Sequence, residues 1–260
     1  MRVAVFTGNQ PRHLALVERL AAAADEVCAV LECGGAFPTT PETPAPLRAY
    51  FEQVVASEAA VFGAKRFLPA NVRTLALRGG DLNGTPLEVL APALAADAIV
   101  VFGASYIKGA LCDALVARGA VNIHAGVSPQ YRGAACNFWA LHDGHPELVG
   151  CTIHRLSKGL DSGAMLFHAL PAAAPTDPFV LGMRAVDAAQ RGLAAALADG
   201  TLARLAPVPQ DRARELRYTR GADFTEAVAA AYLAAQPTAQ DIGSVLARRD
   251  LADFVRPFVA

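Results

Sequence analysis

Residues 98–103 read Ala-Ile-Val-Val-Phe-Gly, five apolar residues in succession closed by a glycine. A run without polar alternation suits a strand covered on both faces, and such strands belong to parallel sheets whose crossover helices cover them. Toward the N-terminus, residues 87–94 and 47–62 carry helix spacing, a Pro/Thr segment at 38–46 reads as a surface loop, and 26–31 is another apolar run. Before these, residues 3–6 form a short strand, followed by the turn Thr7-Gly8-Asn9-Gln10-Pro11 and a helix marked by Leu14, Leu16, Val17 and Leu20. Toward the C-terminus, strands are expected at 119–123, 149–155 and 165–170, then an alanine-rich helix over 179–198 closed by Asp199-Gly200. Strands alternating with helices predict an α/β fold with a doubly wound, mostly parallel, Rossmann-like sheet. Prolines from Pro207 and the charged run 211–217 read as a linker. The expected division is therefore a main domain over 1–206 and a linker with a small C-terminal appendage over 207–260, with helices near 239–246 and 250–255.

A chain of 260 residues with 53% apolar content can bury a full core. Its 23 basic and 24 acidic side chains leave a net charge of −1, so no summed field draws it to nucleic acid or to an anionic membrane, and a small-molecule partner is expected. Met1 runs through Arg-Val-Ala-Val to Phe6 without a stretch suited to a signal peptide or a membrane span, which makes a cytoplasmic location the default. Cys28, Cys33, Cys112, Cys136 and Cys151 include no CxxC pair and read as reduced thiols.

Chemistry is concentrated in two later stretches. In Val121-Asn122-Ile123-His124, the two polar residues stand two apart on an expected strand, so their side chains leave one face about 7 Å apart. The chain then leaves the sheet through Gly126, Ser128-Pro129 and Tyr131-Arg132-Gly133, and a strand end in an open α/β sheet is where the ligand crevice lies. The second stretch is Gly159-Leu160-Asp161-Ser162-Gly163, where two glycines bracket an acid in a tight loop able to deliver its carboxylate beside His124.

Asn122-x-His124, the loop Ser128-Pro129-x-Tyr131-Arg132-Gly133 and Gly159-Leu160-Asp161-x-Gly163 together resemble the signature of the folate-dependent formyltransferases, a family that includes methionyl-tRNA, glycinamide-ribonucleotide and amino-sugar enzymes. The resemblance implies a 10-formyltetrahydrofolate donor, a primary amine as acceptor and no metal. It implies that Asn122 and His124 hold the formyl oxygen, and that Asp161 orients His124 and helps move protons. It also places the donor's pterin against the backbone of Phe102, Gly103, Ala104, Ser105, Tyr106 and Ile107, with Leu156, Gly159 and Leu160 opposite. Amine attack on a formyl carbon creates an oxyanion, which pre-placed amide and imidazolium donors stabilise more than they stabilise the substrate. A neighbouring carboxylate favours the imidazolium, so Asp161 is expected to raise the pKa of His124.

For the acceptor, candidate contacts are Gly8, Asn9 and Arg12 around the first helix N-terminus, with Tyr131 and Arg132. This first loop lacks GxGxxG spacing and departs from the glycine- and serine-rich form of glycinamide-ribonucleotide enzymes. An amino-sugar nucleotide leads, its phosphates met by Arg12, Arg132, Arg217 or Arg220. Other amines, namely amino acids, hydroxylamines and secondary metabolites, stay open, and methionyl-tRNA ranks low because enzymes acting on it carry a larger C-terminal barrel and a basic surface. A non-catalytic nucleotide- or folate-binding protein is the alternative of another class. His142-Asp-Gly-His145 reads as a turn rather than a metal site, Phe138 and Trp139 read as core, and apolar tail helices offer a homodimer face that no pattern demands.

Overall fold

The computed structural model describes residues 1–34 and 37–260. Its strands are β1 (Arg2–Gly8), β2 (Glu26–Cys33), β3 (Val72–Arg78), β4 (Ala98–Phe102), β5 (Val121–His124), β6 (Tyr131–Gly133), β7 (Cys151–Arg155), β8 (Met165–Leu170), β9 (Arg217–Thr219) and β10 (Phe258–Val259). The helices are α1 (Pro11–Ala23), α2 (Ala45–Phe62), α3 (Leu87–Leu94), α4 (Gly109–Ala117), α5 (Cys136–His142), α6 (Pro178–Ala198), α7 (Thr201–Arg204), α8 (Glu226–Ala235) and α9 (Ala239–Leu246). Eight strands form the central sheet in the order β10-β8-β7-β5-β4-β1-β2-β3, parallel throughout except for β7, which runs against both neighbours.

Strand alternation divides the interior into two layers. Val3 and Val5 of β1 join the larger core with α1, α2, α5, α6 and α8, whereas Ala4 and Phe6 join the smaller one with α3 and α4. Both faces are covered, which is why the central strands are apolar without alternation. The chain lays β1, β2 and β3 to one side and β4 and β5 to the other, so a topological switch falls between β1 and β4 and opens a crevice at their carboxyl ends.

The C-terminal region differs from the expected pattern in detail. The stretch read as a linker is paired: Val208 bridges to Met165, and β9 lies parallel to β6. Residues 250–255 do not form a helix but a single 3-10 turn, Leu251–Asp253, started by the Asp250 carboxylate and followed at residue 257 by a proline that cannot donate to a longer one. Two elements absent from the sequence reading replace it, α8 and the short β10, which extends the sheet beside β8. Among the described residues no helix is long and apolar enough to cross a membrane.

Candidate active site

Asn122 and His124 leave the same face of β5, and His154 stands directly across from Asn122 on β7. The 156–164 connection folds back over this face and brings Asp161 to them. His124 Nδ1 is 3.3 Å from Asp161 Oδ2, and Asn122 Nδ2 donates to Asp161 Oδ1 at 3.5 Å. The His154 Nδ1–H donates to the Arg155 carbonyl at 2.8 Å, which leaves its Nε2 to accept from Asn122 Nδ2 at 3.1 Å. Asn122 is thus fixed by two acceptors, one of which, His154, lies within the expected 149–155 strand and is not singled out by the sequence.

Both ring nitrogens of His124 face acceptors, Asp161 at Nδ1 and the Tyr131 carbonyl at Nε2, 3.2 Å away. Burial lowers the His124 pKa below the ordinary histidine value and outweighs Asp161, which acts to raise it. The expectation of a raised pKa is therefore corrected: the ring is buried, and desolvation of the imidazolium is the larger effect. In the neutral ring the proton belongs on Nδ1, where it meets a carboxylate, and Nε2 keeps its lone pair. Burial pushes the Asp161 carboxyl upward, but His124, His154 and Arg132 together hold it below the usual carboxylate range.

Asp161 sits at φ +46°, in the left-handed region that short polar side chains tolerate. Its loop is tied down from two sides. Gln210 Nε2 donates to the carbonyls of Asp161 and Gly163 at 2.8 and 2.9 Å, and Arg132 NH2 donates to the Leu160 carbonyl at 2.9 Å. At Gly163 a Cβ would lie 1.7 Å from the Arg155 carbonyl oxygen. Gly163→Ala is accordingly expected to cost about 2–3 kcal/mol by overpacking, read as a melting temperature lowered by roughly 5–10 °C in a circular-dichroism scan. An unchanged melt would show that the loop yields freely.

Two cavities meet at this cluster. The first, about 370 Å³, is walled by residues 101–107 on one side and 156–161 on the other, with Asn122, His124, His154 and Asp161 at its base. Its 103–107 wall is positioned by Glu32, which accepts from Ser105 N at 2.6 Å and Gly80 N at 3.0 Å, and Tyr106 OH reaches the opposite wall at the Lys158 carbonyl, 3.0 Å away. Gly103 has φ +62°, and a Cβ there would fall 2.4 Å from His13 Nε2, so only glycine fits beside this buried ring. The His13 pKa is lowered to about 3, first by burial and then by Arg12. The second cavity, about 470 Å³, opens on the other side of His124, Ala125 and Gly133 and is walled by aromatic rings from α2, α5, α6 and α8.

Of the residues expected to bind an acceptor, Arg12 lines both cavities, whereas Gly8, Asn9, Tyr131 and Arg132 line neither. Tyr131 is buried, with its hydroxyl donating to Asp143 at 3.2 Å. Arg132 is also buried, pairs with Glu215 at 2.8 Å and holds the Asp161 loop, so its charge is used inside the fold. Arg217 is likewise spent on Asp143 in a bidentate pair at 2.8 and 2.7 Å. Trp139 is buried beneath the Arg217 guanidinium, while Phe138 is both core and cavity wall. His142 and His145 pair with separate carboxylates, Asp143 and Glu147. Among the described residues no group of three or more His, Cys, Asp or Glu side chains is arranged so that it could hold a metal ion.

The fold and site define an α/β protein with an Asn-His-Asp cluster, its histidine buried and the other two half-buried, at the junction of two ligand-sized cavities. Residues 85–197, which carry that cluster, match the family model described as formyl transferase, which places this segment of the chain in that family. It is 35% identical over 177 residues to a methionyl-tRNA formyltransferase of Acidithiobacillus ferrooxidans, covering 67% of this chain and 53% of that one. The chain spans about half the length of the curated relatives it matches. Among solved structures, a sugar N-formyltransferase from a Shewanella species is similar with a TM-score of 0.54 and 20% identity, over 86% of this chain and 78% of that chain. A formyltransferase from Anoxybacillus kamchatkensis, in complex with UDP-4,6-dideoxy-4-formamido-L-AltNAc and tetrahydrofolate, gives 0.50 at 16% identity over 94% and 100%. At these identities the two structures speak to the fold.

Proposed function

We propose that the protein transfers a formyl group from 10-formyltetrahydrofolate to the primary amine of a small molecule, with Asn122, His124 and Asp161 as the catalytic residues. The observation that carries this reading is the place of His124, which lines both cavities and so faces a donor on one side and an acceptor on the other. The first cavity suits a pterin, a flat heterocycle with alternating donors and acceptors, because its lining mixes aliphatic side chains such as Val101, Ile107 and Leu156 with polar ones such as Ser105, Asn122 and Asp161. When bound, the donor supplies the activated formyl carbon.

The chain's own residues do the rest. Asn122 stabilises the oxygen that gains charge by turning to it the Nδ2 hydrogen that spans the long 3.5 Å contact to Asp161, while His154 keeps the other hydrogen. His124 takes the amine's proton on Nε2, and the imidazolium so formed is held by Asp161 at Nδ1 and by the Tyr131 carbonyl at Nε2. The fold neighbours named as sugar N-formyltransferases support an amino-sugar nucleotide as acceptor. The curated relatives support methionyl-tRNA as the second reading, against which stands the net charge of −1. Calorimetric titration with folinic acid tests the donor half: saturable one-site binding is expected, and no heat from folded protein would refute it.

A further inference from the structure

We infer that the second cavity selects an amine carried on a flat aromatic body without phosphate, the chemistry of an arylalkylamine; the inference rests on the formyl-transfer reading and sets the cavity's own chemistry against the amino-sugar nucleotide that the fold neighbours support. The wall is a continuous aromatic surface made by Tyr50, Phe51, Phe138, Phe179, Phe224 and Tyr232. Tyr50 lies 4.8 Å from Phe224, 5.1 Å from Phe179 and 5.5 Å from Phe138 between ring centroids, and Phe138 lies 4.8 Å from Phe224 and 5.0 Å from Tyr232. These separations are those of mutually packed rings, and another ring is the ligand group that continues the pattern with most gain.

Charge points the same way. Among the described residues, Arg12 is the one permanently charged side chain in the wall, and it is paired with Glu58 at 2.7 Å. Glu58 is only 3% exposed. Turning Arg12 toward a diphosphate would leave the buried Glu58 carboxylate with the Arg12 backbone N–H at 3.1 Å but without its counter-charge, at a cost that a phosphate contact has to exceed before it contributes anything. The Arg12 guanidinium also lies over the Phe37 ring, 5.3 Å from its centroid, which further fixes it. The polar side chains of the wall are turned to the protein's own backbone: Ser57 Oγ donates to the Val54 carbonyl at 2.9 Å, and Asn137 Oδ1 accepts from Gly150 N at 3.0 Å. Besides His124, the titratable groups of the wall are Arg12, paired with Glu58, and the Tyr50 and Tyr232 hydroxyls, which burial keeps neutral by raising their pKa. An aromatic body filling the outer part therefore carries its amine inward to the catalytic cluster. The burial that disfavours the imidazolium form of His124 also disfavours an ammonium, so the amine arrives in its nucleophilic, neutral form.

The test offers the intact protein 10-formyltetrahydrofolate with 2-phenylethylamine, tryptamine, a dTDP-amino sugar or methionyl-tRNA, after folinic acid binding has been measured by calorimetry. The expected result is a kcat/KM for the arylalkylamines at least tenfold above the other two. Phe224→Ala, checked for folding by its melt, is expected to raise KM for 2-phenylethylamine about tenfold while leaving folinic acid affinity unchanged. Folinic acid binding with preference for the sugar nucleotide or the tRNA, or with no arylalkylamine formylated, overturns the aromatic acceptor and leaves the donor assignment standing. Failure to bind folinic acid removes the formyl-transfer reading and this inference with it.

Discussion

Replacing His124 with alanine is expected to lower kcat/KM for formyl transfer about 10³-fold, because the side chain is assigned removal of the amine's proton. Stability should change little by comparison. The ring lines two solvent-open cavities, so water can occupy the vacated space, and its partners, the Asp161 carboxylate and Tyr131 carbonyl, can be hydrated there. Asp161 keeps its contact with Asn122, and its loop keeps the backbone bonds from Gln210 and Arg132. The prediction is therefore a catalytic loss with folinic acid affinity and melting temperature near those of the unchanged protein. Steady-state kinetics beside calorimetry and a thermal melt separate these quantities. Turnover within tenfold of the unchanged protein would remove His124 from the chemistry, and a collapsed melt would mean that its main service is structural.

How much of this was legible beforehand depends on where each element draws its definition. The bounds read for β4, β8, α3 and α9 are those observed. β4 is apolar from end to end and β8 is apolar but for His168, and α9 is announced by Thr238, whose hydroxyl accepts from Asp241 N at 3.1 Å. By contrast, β3 went unread because it is an edge strand whose exposed Arg73, Thr74 and Ala76 interrupt any apolar run. Strands β6 and β9 are three residues each and exist only through their pairing across more than 80 positions, which no local pattern records. The meeting of Asn122, His124 and Asp161 could be anticipated because two-residue spacing fixes a shared face and flanking glycines allow a shaped loop. The aromatic cavity could not: its rings come from separate helices, and each alone reads as core. The arginines misled for a related reason. Arg132 and Arg217 look like phosphate ligands until Glu215 and Asp143, 83 and 74 residues away, are seen to hold them.

Asp161→Asn is expected to lower kcat by about 10²–10⁴, a range bounded above by the same carboxylate-to-amide change in a catalytic triad. The amide can still occupy the loop, but its NH₂ would donate to His124 Nδ1, forcing the ring proton to Nε2, the position assigned to accept the amine's proton. The pH profile then separates this from a merely structural loss. His124 acts as a base only when neutral, so the acid limb of kcat/KM follows its pKa, which burial places below the ordinary value of about 6.5. Asp161 opposes burial by raising that pKa, so its removal must lower the pKa further and carry the limb to more acidic pH. Rate falls while the acid limb moves down, a combination that a disordered loop does not produce, since exposing His124 to water would return its pKa toward 6.5 and move the limb up. Profiles recorded on both proteins from neutral pH down to the most acidic pH at which each stays folded decide it. An acid limb that rises or stays in place in the Asn variant would show that Asp161 does not act through His124, even if the activity is lost.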